Sequence, residues 1–138
     1  MNIRAILIFA FLLTLACSSE DYNKASIFQA NYSDSELTQV EITSSSCLFD
    51  TLSAGSTWTG DIVLKNRGRN VLKIDSIVKS CSCTSLKLSS KSAPISDSII
   101  VSFELKPTVT RQYLSTPIIF YMNTKPFYRQ ILIEGYVK

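Results

Sequence analysis

From residue 37 to its last residue, the chain alternates apolar and polar side chains with a period of two, and this pattern constrains its fold more than any other feature. In "STWTGDIVLKNRG" the apolar positions are Trp58, Ile62 and Leu64, and "DSIIVSFELK" repeats the alternation. Successive side chains of a β-strand point to opposite faces, so each segment is predicted to be a strand with one buried face. No stretch after Ala16 shows the spacing of an amphipathic helix.

Other segments have the composition of strands and are separated by turn-like stretches such as "NRGRN", "SSKSAPISD" and "NTKP". They are "NVLKIDSIVKS" (70–80), "CTSLKL" (83–88), "YLSTPIIFYMN" (113–123) and "FYRQILIEGYVK" (127–138). About seven short strands in about a hundred residues predict an all-β, immunoglobulin-like β-sandwich, although a small barrel has the same pattern.

Length and composition exclude several classes of function. The 138 residues make one domain once an export signal is subtracted, and the net charge of +3 is too small and too scattered for a nucleic-acid partner. The chain has no histidine, so it lacks both a Ser-His-Asp arrangement and the usual general base of neutral pH. Its 4 glycines do not cluster into a phosphate-binding loop. We therefore expect a protein that is not an enzyme and holds no cofactor.

The first residues have the pattern of an export signal. Arg4 is followed by the apolar run "AILIFAFLLTLA", residues 5–16. A helix of that length reaches about 18 Å, whereas a membrane-spanning helix needs about 20 apolar residues. The run is therefore predicted to be the apolar part of a signal peptide, residues 1–16, and not a membrane span.

The end of this signal resembles that of bacterial lipoprotein precursors, in which a small residue precedes a cysteine that becomes the lipidated N-terminus. Ala16 and Cys17 match that pattern, and Glu20 and Asp21 resemble the export signals of Bacteroidetes-type lipoproteins. The resemblance implies a membrane anchor on Cys17. The polar, Ser-rich composition that follows predicts a tether over residues 17–36, and the alternating pattern predicts the β-sandwich domain over residues 37–138. The resemblance places the chain in the cell envelope, at the outer membrane, and leaves its periplasmic or surface orientation open.

The domain itself resembles the domain-of-unknown-function family numbered 1573, whose members show N-x-G, L-x-I, S-C-G-C-T and a final G-x-V. The matching residues are Asn66, Gly68, Leu72, Ile74, Ser80, Cys81, Cys83, Thr84, Gly135 and Val137. In this chain Ser82 replaces the glycine between the cysteines, and the family's Pro-Gly turn is shortened to "ISDS". The resemblance implies an exported immunoglobulin-like domain, and it implies no reaction.

Besides Cys17, the candidates for a disulfide or for redox chemistry are Cys47, Cys81 and Cys83. A bridge from Cys47 to either of the others closes a loop of about 35 residues and stabilises by about 4 kcal/mol, which is a structural role. A bridge between Cys81 and Cys83 closes almost nothing, about 1.6 kcal/mol, and an extended strand places their Cα atoms about 6.6 Å apart, near the limit of disulfide geometry. With so few thiols and no histidine, a metal site is not expected.

Two hypotheses about function follow. The first is a non-catalytic envelope lipoprotein that binds an unidentified envelope protein or glycan through its sandwich. The alternative is a thiol-disulfide redox partner that acts through Cys81 and Cys83.

Overall fold

A computed structural model describes residues 32–44 and 46–138, and this part of the chain forms nine β-strands and one 3₁₀ turn, Asp34–Glu36. The strands are β1 (Val40–Ile42), β2 (Ser46–Leu52), β3 (Trp58–Asn66), β4 (Leu72–Lys79), β5 (Thr84–Leu88), β6 (Ser92–Ala93), β7 (Ser98–Leu105), β8 (Gln112–Met122) and β9 (Tyr128–Val137). The predicted signal peptide and the anchor residue Cys17 lie outside the described residues.

The strands form two sheets. Sheet I has the order β1-β3-β7-β5, and sheet II has the order β2-β9-β8-β4-β6. Neighbouring strands are antiparallel except for β2 and β9, which run parallel. The predicted all-β sandwich is confirmed, and two separate sheets replace the barrel alternative. Of the two shortest strands, β1 has 3 residues and β6 has 2, too few for a period of two to be recognised in the sequence.

The core lies between the two sheets and is built from the inward side chains of the alternating segments. The side chains with no exposed surface include Ile62 and Leu64 of β3, Ile99 and Val101 of β7, and Ile118, Phe120, Ile131 and Ile133 of β8 and β9. Burying one such side chain contributes about 1.5–3 kcal/mol, so the two sheets hold each other through this layer.

Asn66, at the end of β3, is a fully buried polar residue that joins several loops. Its Nδ2 group donates to the carbonyl oxygens of Asn70 (2.8 Å), Ala93 (3.0 Å) and Pro94 (3.1 Å). Its Oδ1 atom accepts from the Thr38 hydroxyl (2.8 Å) and the Gly68 N–H (3.1 Å). Because buried carbonyl groups need donors, this single amide satisfies groups from three segments of the chain.

Two further asparagines hold the segment that precedes β1. Asn70 Nδ2 donates to the carbonyl oxygens of Ser35 (2.7 Å) and Leu37 (2.8 Å), and Asn123 Nδ2 donates to that of Glu36 (2.9 Å). These hydrogen bonds attach residues 35–37 to the loops that carry Asn70 and Asn123, within the compact unit Tyr32–Lys138. The segment is as polar in composition as a tether. Its attachment uses backbone carbonyl groups, which leave no apolar pattern in the sequence.

A turn between β6 and β7 holds a non-glycine residue in the left-handed region. The Asp97 N–H donates to the Pro94 carbonyl oxygen at 3.2 Å, and Ser96 has a φ of 67°. Glycine adopts this conformation without the steric cost that a Cβ atom brings. This is the turn at which the chain departs from the Pro-Gly pattern.

The Ser96→Gly variant is expected to be more stable by about 0.5–1 kcal/mol, because the strain at positive φ exceeds the entropy that glycine loses on folding. Thermal unfolding should show a Tm about 2–8 °C higher. Ser102→Gly, in the middle of β7, is the matched control and should lower the Tm, because glycine weakens a strand interior. A Tm for Ser96→Gly that falls as far as the control would contradict the prediction.

Candidate functional site

Several residues that carry the family pattern have structural roles. Leu72 and Val137 have no exposed surface, and Thr84 is buried. A Cβ atom at Gly135 would lie less than 3.0 Å from both the ring and the backbone oxygen of Phe49, and one at Gly68 would overlap the backbone of residues 38 and 39. At these positions the pattern therefore reflects close packing and turns.

The cysteine pair lies in a turn and not in a strand. The sulfur atoms of Cys81 and Cys83 are in bonding contact, and their Cα atoms are 5.1 Å apart. That is shorter than the separation of about 6.6 Å expected for an extended segment, because the chain turns here between β4 and β5. The Thr84 N–H donates to the Cys81 carbonyl oxygen (3.3 Å), and Lys79 Nζ donates to the Thr84 carbonyl oxygen.

Cys47 is an unpaired, half-buried thiol on β2, so the long-range bridge is not formed. Cys47 is on β2, and the turn that contains Cys81 and Cys83 follows β4. In sheet II, β9 and β8 lie between β2 and β4. Three strand spacings amount to about 14 Å, whereas a disulfide needs Cα atoms within about 7 Å. Burial raises the pKa of the Cys47 thiol, and the Ser44 hydroxyl opposes this shift. The raised pKa leaves less reactive thiolate at neutral pH.

Loss of the Cys81–Cys83 bond should change stability little. The bond closes a ring of so few residues that the chain-entropy contribution is about 1.6 kcal/mol, against about 4 kcal/mol for a bridge to Cys47. The Cys81→Ser/Cys83→Ser variant should therefore lose at most about 6–13 °C in Tm. Cys47→Ser is the matched control, because it removes a thiol without removing a bond. A loss of 20 °C or more in the double variant would show that the bond stabilises the protein by more than its chain-entropy contribution.

The outer face of sheet II is rich in apolar and aromatic side chains. The outward positions alternate with the core positions along each strand. They include Leu48 and Thr51 of β2, Ser76 and Val78 of β4, Tyr113, Ser115, Pro117, Ile119 and Tyr121 of β8, and Tyr128, Gln130, Leu132, Glu134 and Tyr136 of β9. Leu48 is 68% exposed, Tyr113 62% and Tyr128 54%. Large exposed apolar surfaces of this kind mark interaction sites.

Few polar groups interrupt this face. Glu134 is its one charged residue on β8 and β9, and the Ser115 hydroxyl donates to its carboxylate at 2.8 Å. The rings of Tyr121 and Tyr128 lie side by side, with their centroids 6.5 Å apart. Tyrosine rings combine apolar area with a hydroxyl group, which suits them to surfaces that are exposed in one state and covered in another.

The outer face of sheet I has a different character. Its centre is a shallow, open trough of about 500 Å³ around Ser102. The outward side chains that line it are short or charged, namely Thr59, Asp61, Ser85, Lys87, Ser102 and Glu104. Such a surface is typical of a solvated sheet face, so the two faces of the sandwich differ in their capacity to bind a partner.

The outer face of sheet II was not predicted from the sequence, although a signal for it exists. In "PIIFYM" of β8 and "ILI" of β9 the residues between the core positions are apolar as well, so the alternation is broken there. Continuous apolar runs indicate strands that are covered on both faces.

Residues 32–44 and 46–138 contain no helix with the length and apolar character of a membrane span. The same residues contain no group of three or more side chains of the kinds that bind metal ions.

The strand order and the two packed sheets define the class of protein, which is an immunoglobulin-like β-sandwich. A protein of unknown function from Porphyromonas gingivalis W83 aligns with a TM-score of 0.67 and 16% identity, over 77% of this chain and 50% of its own. The PapD-like domain 7 of human CEP192 aligns with a TM-score of 0.59 and 16% identity, over 78% of this chain and 91% of its own. At this identity the likeness concerns the fold alone.

The sequence profile of the family described as "Protein of unknown function (DUF1573)" matches residues 40–137, and the chain belongs to this family. The chain spans half the length of the P. gingivalis protein. No relative was found among curated protein sequences.

Proposed function

We propose that this chain is a non-catalytic lipoprotein of the bacterial cell envelope that binds a protein partner through the outer face of sheet II. The observation that carries the proposal is the exposed apolar area of that face, on which Leu48 is 68% and Tyr113 62% exposed. Covering this area removes apolar surface from water, which favours binding by about 25 cal/mol per Å² before the costs of association.

A protein partner fits this face better than a glycan does. Its centre consists of the aliphatic side chains Leu132 and Ile119 together with Pro117, and the hydrogen-bonding groups of β8 and β9 are those of Gln130, Glu134 and Ser115 and the tyrosine hydroxyls at its two ends. A sugar presents hydroxyl groups on its rim, so it would leave many of them unpaired against aliphatic side chains. A protein surface can cover the same area with apolar side chains.

Photocrosslinking in intact cells tests the proposed surface. A photoreactive amino acid placed at Leu48 of the full-length chain should yield crosslinked protein products, because that side chain lies within the face. The matched control carries the same amino acid at Ser102, on the outer face of sheet I, and should yield few. Equal yields from the two positions, or none from Leu48, Val78 and Tyr128, would overturn the proposal.

The anchor is tested separately by the Cys17→Ser variant. In a lipoprotein precursor the thiol of this cysteine receives the lipid, and buried acyl chains contribute about 0.8 kcal/mol per CH₂ to membrane binding. We expect the natural chain in the membrane fraction and the variant in the soluble fraction or retained as an unprocessed precursor. Membrane binding and processing that are unchanged in the variant would refute the anchor without affecting the docking face.

A second candidate function is thiol-disulfide exchange through Cys81 and Cys83, and the bonding contact of their sulfur atoms in a surface turn favours it. In this reaction a thiolate of a partner dithiol attacks one sulfur atom, a mixed disulfide forms and the other cysteine leaves as a thiolate. The partner's second thiol then attacks the mixed disulfide. The partner becomes oxidised, and Cys81 and Cys83 become reduced.

Equilibration with glutathione buffers distinguishes a redox pair from a stable bond. A redox role predicts that free thiols appear at Cys81 and Cys83 at potentials near those of known thiol-disulfide exchangers, about −270 to −120 mV. The Cys47 thiol should be detected throughout and serves as the internal standard. A pair that stays fully oxidised, or fully reduced, over that range would remove this candidate.

A further inference from the structure

The order of the outward side chains along β9 is nearly the same in both directions of the strand. They are, in order, Tyr128, Gln130, Leu132, Glu134 and Tyr136. β8 repeats the arrangement beside it, since Tyr121 and Tyr113 stand opposite Tyr128 and Tyr136, and Pro117 stands opposite Leu132. A tyrosine therefore ends the face on both strands at both ends, with an apolar row at the centre.

We propose that the protein bound by this face is a second copy of the same chain, and this inference rests on the proposed function. The two outer faces pack against each other about a two-fold axis that lies parallel to the sheets, perpendicular to the strands, over Pro117 and Leu132. A two-fold interface joins a surface patch to itself, so it requires a patch that is complementary to its own image. The near-palindromic order on β9 meets this requirement.

The rotation brings unlike polar groups together. Gln130 and Glu134 lie one position to either side of Leu132 on the same face, so the axis places Gln130 of one copy over Glu134 of the other, and does so twice. The Gln130 amide donates hydrogen bonds and the Glu134 carboxylate accepts them. The Ser115 hydroxyl, at 2.8 Å, already holds that carboxylate on the face. The axis also stacks Tyr128 on Tyr136.

The part of the face that the two copies share is the β8–β9 pair. β2 runs beside residues 132–137 of β9 and β4 beside residues 118–122 of β8, so the rotation carries each of these two strands past the end of its counterpart. At about 4.8 Å per strand and about 3.3 Å per residue, β8 and β9 present about 10 Å by 26 Å, which is about 250 Å² of projected area per copy and about 500 Å² for two. This is below the roughly 1,000 Å² of a stable interface, so the dimer is expected to be weak and to form at the upper end of the concentration range. Sheets that pack face to face cross at about 30°. This rotation displaces residues far from the axis, whereas residues close to the axis still face their counterparts in the other copy.

A charge exchange across the axis tests the arrangement. The full-length chain is purified from membranes in mild detergent, and its mass is measured over a range of concentrations by sedimentation. We expect a dimer. Gln130→Glu places two carboxylates opposite each other at both equivalent positions and should raise the dissociation constant at least tenfold. Adding Glu134→Gln restores one donor and one acceptor per contact and should return the constant to within about threefold of the natural value.

Gln39→Glu is the matched control, because it introduces the same charge at an exposed position outside sheet II and should leave the dimer unchanged. As a second measurement, a photoreactive amino acid at Leu132, next to the axis, should give a product of twice the mass of the chain. A monomer at every concentration, or a dimer that Gln130→Glu does not weaken, would overturn the inference.

The experiment separates this inference from the proposed function. A monomeric chain whose Leu48 position still crosslinks to a different envelope protein would refute the second copy and retain the docking face. A chain that crosslinks to nothing through this face would refute both.

Discussion

The Asn66→Asp variant is expected to lose about 4 kcal/mol of unfolding free energy, because a carboxylate oxygen replaces an amide that donates to three backbone carbonyl groups. The position has no exposed surface, so water cannot replace the lost donor. Domains of this size have about 5–15 kcal/mol of stability in total, so the variant should be largely unfolded or marginal at 37 °C. Urea unfolding monitored through Trp58, the only tryptophan, measures the loss.

Two comparisons make this prediction specific to the hydrogen bonds. Asn70→Asp removes a donor to two carbonyl groups at a half-buried position, so it should lose about half as much free energy. In Asn66→Asp the buried carboxyl faces carbonyl oxygens, so its pKa in the folded state is raised above the unfolded value of about 3.9. The deficit should therefore be smallest below about pH 3.9 and should grow as the pH rises through the folded pKa. A deficit that does not vary with pH would point to packing instead.

The Gly135→Ala variant is expected to lose about 3 kcal/mol, because the new methyl group overlaps Phe49 of the neighbouring parallel strand β2. The ring of Phe49 can rotate away, but its backbone oxygen can move only if β2 moves. β2 is at the edge of sheet II, so the strain should be relieved by separation of β2 from β9. Hydrogen exchange of the backbone amides of β2 should accelerate more than that of β8.

Other substitutions distinguish a backbone clash from a general cost of alanine. Gly55→Ala has no atom within 4 Å of the new Cβ and a φ of +78°, so it should lose only about 1 kcal/mol from conformational strain. Phe49→Ala/Gly135→Ala, measured against Phe49→Ala alone, removes the contact with the Phe49 side chain and keeps the contact with the backbone oxygen, so most of the loss should remain. Full recovery in the double variant would assign the clash to the side chain.

The two faces of the sandwich were accessible from the sequence to different degrees. The core face follows from alternation, because Ile62, Leu64 and Val101 occupy every second position of their strands. The outer face of sheet II is visible only as broken alternation in β8 and β9, and its near-symmetry appears once register sets Tyr121 beside Tyr128. Register depends on contacts between strands that are distant along the chain, so no local pattern contains it.

The cysteines likewise have some properties that the sequence determines and others that depend on the tertiary structure. Their number and the absence of histidine disfavour metal binding from the sequence alone, but the choice of disulfide partner depends on which strands are neighbours. The positions of β9 and β8 between β2 and β4 rule out the bridge from Cys47, and the turn after β4 brings Cys81 and Cys83 together. The positions of Asn66 and Gly68 in the family pattern likewise acquire a physical reason only from their contacts with residues 38 and 93.

The sequence alone determined the class of fold, the family and the core face of the strands, because each of these depends on residue types at short spacings, which sterics and the hydrophobic effect convert directly into strands. The tertiary structure alone decided the pairing of the cysteines, the attachment of residues 35–37 by Asn70 and Asn123, and the set of side chains on the outer face of sheet II. These three depend on distances between residues far apart in the chain, which only the packing of one sheet against the other establishes.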